Sequence, residues 1–308
     1  MQVNHSITIR GSLLHNEPMS LHTSLKVGGP VDIFAIPEDA DDLQQLLRQL
    51  GEENIPWLAI GKGYNLLVRD KGIRGAVISL ERFDRISLIS PPPAGEGQGG
   101  GRRIRAEAGA ENLAVVRFAQ NLGLGGIGFI SGIPGTIGGA IKMNAGAYGE
   151  GMLERTEFLT LVRDGEIRDF CISEMDYGYR HLDLLPGDIV LAATFRLDQR
   201  EAQHTEEEIQ RDIQLRRSKH NVGYPSAGSF FKNPPGQAAW RLIDAAGMRG
   251  VRVGGAQVSE IHSNFLVNTG GATTNDFLEL ARLVKKAVIS TSGVTLVEEV
   301  RIVGEEQP

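Results

Sequence analysis

Two stretches of the chain concentrate residues that can grip an anion through backbone amides. Residues 61–68 read GKGYNLLV: an apolar run enters Gly61, Lys62 and Gly63, then Tyr64, Asn65 and Leu66. Residues 132–149 read GIPGTIGGAIKMNAGAYG, in which Thr136 and Asn144 can add side-chain hydrogen bonds. Glycine lets main-chain N–H groups approach a ligand without Cβ interference, and successive exposed N–H groups form nests suited to phosphate. Alone, the first stretch reads as an ordinary strand-to-turn loop, with Asn65 tolerating positive φ or capping a helix. The second would need tight turns throughout if it were purely structural. Glycine is 39 of 308 residues, against about 7% in an average protein, and the excess is clustered.

One formal G-x-G-x-x-G occurs at Gly123, Gly125 and Gly128. A dinucleotide fingerprint needs a strand before it and a helix after it, whereas here a helical pattern precedes and a loop-like sequence follows. Walker A, H-E-x-x-H and G-x-S-x-G motifs are absent, so NTPase, zincin and α/β-hydrolase chemistries lack their parts. Lys and Arg number 32 against 38 Asp and Glu, a net charge of −6, which argues against a general nucleic-acid or membrane-surface binder. Cys171 is the only cysteine, so an intrachain disulfide and a cysteine metal cluster are excluded and no metal site is expected. The first thirty residues hold no apolar run of signal-peptide length, and the chain is read as cytoplasmic.

The elements that must position these loops follow from periodicity. Leu43, Leu46, Leu47 and Leu50 fall at i, i+3, i+4 and i+7, predicting a helix over 38–50 that Pro37 opens and Gly51 closes. Strands are predicted over 55–60 and 75–80, completing a small α/β unit. Strands at 85–90 and 103–108 flank the Pro/Gly-rich stretch 91–101, from Pro91 to Gly101, which reads as an exposed, dispensable hairpin loop. A helix over 111–122 follows, then strands at 158–163 and 166–171 joined by Asp164-Gly165, a two-residue hairpin signal, and a strand at 188–196. A polar helix over 206–220, acids first and bases last, reads as a link between domains. Helices at 238–246 and 276–289 and a strand at 296–303 complete the chain.

Six motifs together resemble the UDP-N-acetylenolpyruvoylglucosamine reductase family: TSLKVGGP at 23–30, GKGYNLLV, GIPGTIGGAIKMNAGAYG, GYR at 178–180, SAGSFFKNP at 226–234 and EEVR at 298–301. Their order and spacing span about residues 20 to 303, with Tyr64 where the family usually has serine. The short distance from Arg180 to the linking helix resembles the shorter subtype, which lacks a tyrosine-bearing substrate loop. The resemblance implies an α+β architecture: a vanillyl-alcohol-oxidase-type FAD-binding fold of two α/β subdomains (1–80 and 81–204) and a substrate-binding domain (205–308) whose extreme C-terminus packs back on the first. It implies non-covalent FAD on the amides of Gly61, Lys62, Gly63, Tyr64, Asn65 and Leu66 and on Gly132, Pro134, Gly135, Thr136, Gly138, Gly139, Asn144, Gly146 and Ala147. NADPH and UDP-N-acetylglucosamine enolpyruvate would use one cleft in turn, in a monomer that binds neither nucleic acid nor membrane.

The implied reaction reduces an enol ether, leaving negative charge on the α-carbon and its carboxylate. Arg180 is then the candidate for stabilising that charge, because a guanidinium can hold a carboxylate bidentately and stays charged. Ser229, beside Gly228 and two phenylalanines, is the candidate proton donor, although serine is a weak acid that needs help from neighbours. Glu299 shares a strand face with Val297, Arg301 and Val303 in this reading; an unpaired carboxylate there would repel an enolate, so it should carry a proton or act through a charged neighbour. Lys219, Lys232 and Asn233 suit the diphosphate and sugar, and His262 and Asn264 are candidates to line the same cleft. A flavin oxidase of the same fold and a non-catalytic FAD or sugar-nucleotide binder are the competing readings. Replacing 91–101 by a two-residue turn should leave flavin content and turnover nearly unchanged, because loop length alters closure entropy only slowly. Flavin absorbance per chain and a steady-state assay check this, and a large loss of either would place the loop in the site.

Overall fold

The computed structural model describes residues 7–89, 102–147, 149–200, 206–207, 209–214 and 222–306. The 91–101 stretch, Tyr148 and Lys219 lie outside the described residues. The chain divides into two compact units, one of Met1–Leu13, Ala35–Gly61 and Ile78–Leu215, the other of Leu14–Phe34, Lys62–Val77 and Arg216–Pro308. This partition differs from a division at 80 and 204, because residues from 14 to 34 and 62 to 77 group with the C-terminal part. Among the described residues no helix is long and apolar enough to cross a membrane.

The first unit is built on an antiparallel sheet with strands in the order Glu166–Cys171, Thr156–Arg163, Ile189–Gln199, Arg102–Glu107, Ile86–Ile89. Asp164 and Gly165 both hold positive φ, 52° and 77°, the two-residue turn whose twist suits a hairpin, so Arg163 pairs with Glu166. Helices Asn112–Asn121 and Ile137–Lys142 contribute to the core against this sheet: Val115, Val116, Ala119, Ile137 and Ile141 are buried with Ile104, Leu159, Leu161 and Phe195. Residues 206–207 and 209–214 are helical, covering the first part of the predicted 206–220 helix.

Helix Ala40–Glu52 starts two residues later than the periodicity suggests. Asp39 serves instead as N-cap, its carboxylate accepting from Asp42 N at 3.0 Å. Leu43, Leu46 and Leu50 are fully buried. The Asp42 carboxylate is also buried and accepts three main-chain N–H groups, of Arg10 at 2.8 Å, Gly11 at 2.9 Å and Glu38 at 2.8 Å, so it knits the helix to its flanks.

In the second unit an antiparallel sheet runs Ser226–Ser229, Phe265–Asn268, Ala256–Val258, Arg252–Val253. Helix Thr274–Ser292 buries Phe277, Leu280, Ala281, Val284 and Val288 along one stripe, beside helix Ala239–Ala245. Thr273 and Asp276 form a capping box at its start. Asp70 adds a second cap from far along the chain: its two oxygens accept from Thr274 N at 2.8 Å and Asn275 N at 3.0 Å, while the Thr274 hydroxyl donates to the Val68 carbonyl. The end of GKGYNLLV is thereby tied to a helix terminus.

Strand Leu66–Val68 pairs in parallel with Arg301–Val303, Arg301 opposite Leu66. The strand expected over 296–303 is therefore shorter than its sequence pattern. Residues 297–300 instead spend main-chain groups on Asn65, Phe230 and Lys232. Asp70→Ala should lower apparent unfolding free energy by about 1–2 kcal/mol, the usual worth of a carboxylate cap reinforced by the helix dipole. Chemical denaturation measures it, and an unchanged midpoint would show that the Thr273 capping box suffices.

Candidate active site

Each end of the first glycine pair is closed to any side chain. A Cβ on Gly61 would stand 2.4 Å from Thr136 Oγ1, and one on Gly63, whose φ is 63°, would stand 2.0 Å from the His22 carbonyl oxygen. Tyr64 is exposed, as is Lys62. Asn65 departs from the expected role, since its φ is not positive and its side chain caps no helix. Its Nδ2 donates to the Glu299 carbonyl at 3.0 Å, and its own carbonyl accepts from Arg301 N at 3.0 Å.

The second glycine run is not loop throughout: Ile137–Lys142 forms a short helix with Thr136 as N-cap. Its first two amides are already engaged, Ile137 N with the Ala110 carbonyl at 2.9 Å and Gly138 N with Ala108 at 2.8 Å, so the amide nest is narrower than the glycine count suggests. Side chains fill that gap. Thr136 Oγ1, Ser131 Oγ and Asn112 Oδ1 are buried polar atoms without a hydrogen-bond partner, in residues 3%, 6% and 1% exposed. Each left dry would cost roughly 1–3 kcal/mol. Asn112 also shapes the run, its Nδ2 donating to the Ile133 carbonyl at 3.0 Å and its N to Gly135 at 3.1 Å. Two hydroxyls and one amide oxygen at a loop closed to a Cβ fit a flavin dinucleotide: the hydroxyls can donate to phosphate or ribityl oxygens, and the amide oxygen can accept from an N–H or O–H. Ser131 and Asn112 were not marked by the motif spacing, because burial without a partner is invisible in sequence. Gly132 is half-buried, while Pro134 and Gly139 are exposed.

Arg180 lies in the same unit, on a two-residue turn between strands Tyr177–Gly178 and His181–Leu182. Its φ is 54°, a left-handed conformation that costs a residue with a Cβ roughly 1–3 kcal/mol. Its guanidinium donates through Nη1 to the Asn144 carbonyl at 3.3 Å, approaches the Gly146 carbonyl at 3.5 Å, and lies 5.3 Å from the centre of the Tyr179 ring. Asn144 spends its side chain within the protein, donating to the Gly178 carbonyl at 2.9 Å and accepting from Leu153 N at 3.1 Å. Gly146–Ala147 is a strand paired with Glu150–Gly151.

In the other unit the structure brings together residues 65, 229–232, 264 and 297–299. Ser229 ends strand Ser226–Ser229 opposite Phe265, after a register shift at Gly228. The next residue, Phe230, gives its carbonyl to Glu299 N at 2.8 Å, and Lys232 N donates to Val297 at 2.8 Å. Glu299 thus sits outside any strand, a correction to the alternating face read from sequence. Its neighbour Glu298 pairs with Lys285 at 2.9 Å. Asn264 is a scaffold rather than a lining residue: its buried amide brackets Phe231, accepting from N at 3.0 Å and donating to O at 2.8 Å. Asn233 is exposed and its Oδ1 caps Ala239 N at 3.0 Å. Burial pushes the His262 imidazole below the ordinary histidine range; it packs edge-on to Phe265 at 4.7 Å.

Residues 31–170 match the family described as FAD binding domain, and 220–303 match the C-terminal domain of UDP-N-acetylenolpyruvoylglucosamine reductase. The reductase of that name from Pelobacter propionicus is 73% identical over 300 residues, 97% of this chain and 98% of that one. That from Geotalea uraniireducens is 53% identical, over 96% and 95%. The crystal structure of the Thermus caldophilus UDP-N-acetylenolpyruvylglucosamine reductase superposes with a TM-score of 0.78 at 32% identity, covering 96% of this chain and 99% of that one. Fold and comparisons together define a flavin-dependent oxidoreductase built on an FAD-binding domain. Within that class the chain belongs to the UDP-N-acetylenolpyruvoylglucosamine reductase family. It reduces the enolpyruvyl group of UDP-N-acetylglucosamine enolpyruvate to give UDP-N-acetylmuramate for peptidoglycan, with FAD as cofactor and NADPH as hydride donor.

Thr136→Val separates cofactor binding from folding. Removing a buried, unpartnered hydroxyl should leave the apoprotein equally or more stable. FAD affinity should fall about 10–100-fold, the loss of one hydrogen bond to a charged group. Apoprotein melting and flavin-fluorescence titration check both, and unchanged FAD affinity would remove Thr136 from the site.

Proposed function

We propose that Arg180, Ser229 and Glu299 carry the reduction, with Lys232 and Asn233 on the diphosphate and sugar of the substrate and Lys219 and His262 lining the same cleft. NADPH and the sugar nucleotide take that cleft in turn. The carrying observation is the main-chain bond that sets Glu299 beside the Ser229–Phe230 segment, at 2.8 Å from Glu299 N to the Phe230 carbonyl. In the same proposal the flavin is held by 1–80 and 81–204 and the substrate by 205–308, in a cytoplasmic monomer.

FAD, when bound, relays hydride from NADPH to the terminal enolpyruvyl carbon. Negative charge then develops on the α-carbon and spreads into the carboxylate. Arg180 meets it with a permanent positive charge and a fork of N–H donors, an interaction that strengthens as the charge grows. Ser229 supplies its hydroxyl proton to the α-carbon, completing the saturated lactyl ether. Phe230 and Phe231, both buried, limit water at that position. Glu299 acts through its proton or a cationic neighbour, since a bare carboxylate beside the enolate would raise the barrier.

Ser229→Ala divides the two half-reactions. NADPH should bleach the flavin at a near-normal rate, while recovery of flavin absorbance with the enolpyruvyl substrate should slow by about 10²–10⁴-fold, the usual worth of general acid catalysis. Stopped-flow absorbance distinguishes the outcomes. Equal slowing of both phases would mean a structural role, and normal recovery would assign the proton to another group.

A further inference from the structure

Asn144 stands in the second glycine run, where the sequence suggests a flavin contact, but its bonds lead elsewhere. Its side chain is 9% exposed, with Nδ2 on the Gly178 carbonyl at 2.9 Å and Oδ1 on Leu153 N at 3.1 Å. Gly178 is the residue immediately before the Tyr179–Arg180 turn. The Asn144 carbonyl in turn accepts from Arg180 Nη1 at 3.3 Å. One residue therefore holds both the root of the turn, through its side chain, and the tip of the arginine, through its main chain. Both residues have left-handed φ, 39° at Asn144 and 54° at Arg180. Asparagine tolerates that region, whereas arginine adopts it only where surroundings impose it.

We infer that Asn144 is a positioning residue for Arg180: it fixes the strained turn and the guanidinium together, so that the guanidinium is presented in one orientation to a carboxylate. The inference rests on the role proposed for Arg180. A guanidinium held in advance loses less freedom when the substrate arrives and needs less reorientation as charge develops. Loosening the tether should affect the step that builds charge on the substrate and spare the step that precedes it.

The test uses the holoenzyme with two substitutions. Asn144→Asp keeps an oxygen for Leu153 N and removes the donor to Gly178; Asn144→Gly keeps the left-handed backbone and removes both side-chain bonds. Both should retain wild-type flavin content and reduction by NADPH, while recovery with the enolpyruvyl substrate slows 10–100-fold, chiefly in kcat rather than KM. Added to Arg180→Ala, either should slow recovery by less than a further twofold, since contacting residues acting as a unit are not additive. Flavin loss in both variants, or equal slowing of both half-reactions, would make Asn144 a flavin or structural residue and overturn the inference. Full additivity with Arg180→Ala would overturn it as well. Wild-type recovery in Arg180→Ala alone would remove the role of Arg180 itself and the inference with it, a failure visible in that variant without reference to Asn144.

Discussion

The approach of the Gly61 backbone to Thr136 Oγ1 is the constraint around which the buried polar wall of the first unit is arranged. At 2.4 Å from a would-be Cβ, and with Thr136 buried and β-branched, residue 61 has no room for a side chain. Thr136 is held there by main-chain pairing with Glu111 and by the grip of Asn112 on Ile133 and Gly135. Ile137 and Ile141 then anchor the following helix in the core. The result is a wall whose polar oxygens at 112, 131 and 136 find no protein partner. A ligand that satisfies them binds the folded state alone, and so raises its stability by mass action.

The second unit solves a different problem, that of holding distant segments of the chain side by side. Asn65, Glu299, Phe230 and Asn264 are linked in series, and at Glu299 and Phe230 the link runs through the main chain alone. Distant segments are thus brought into register through main-chain groups. The register is held from outside by Asp70, which ties the end of the Leu66–Val68 segment to the start of helix Thr274–Ser292. A shift of that helix would carry the strand, and with it the Arg301–Val303 pairing that follows Glu299.

Much of this was legible where one local force dominates. The leucines at 43, 46 and 50, the Asp164-Gly165 turn and the helix over 276–289 are read correctly because period and turn chemistry act within a few residues. The helix Ile137–Lys142 was missed because two glycines lower its propensity, and burial of Ile137, Ala140 and Ile141 at i, i+3 and i+4 overrides that. The alternation of Val297, Glu299, Arg301 and Val303 suggested one strand, but the main-chain groups of 297–300 find partners 65 residues and more away in sequence. Asn65 looked like a cap for the same reason: its partner, Glu299, is 234 positions away.

The φ of Arg180 belongs to this second kind of information. A two-residue turn needing positive φ at its second position is ordinarily met by glycine or asparagine, and nothing local favours arginine there. The conformation persists because it is imposed from several directions: by the flanking strand pair, by the Asn144 carbonyl and by the Tyr179 ring against the guanidinium. Glycine would relieve the backbone but remove the one permanent charge at the turn. In the role proposed for Arg180, a residue that locally prefers another conformation, held by contacts that also aim its charged end, suits a reaction that builds charge on its substrate, because reorientation during the step would add to the barrier.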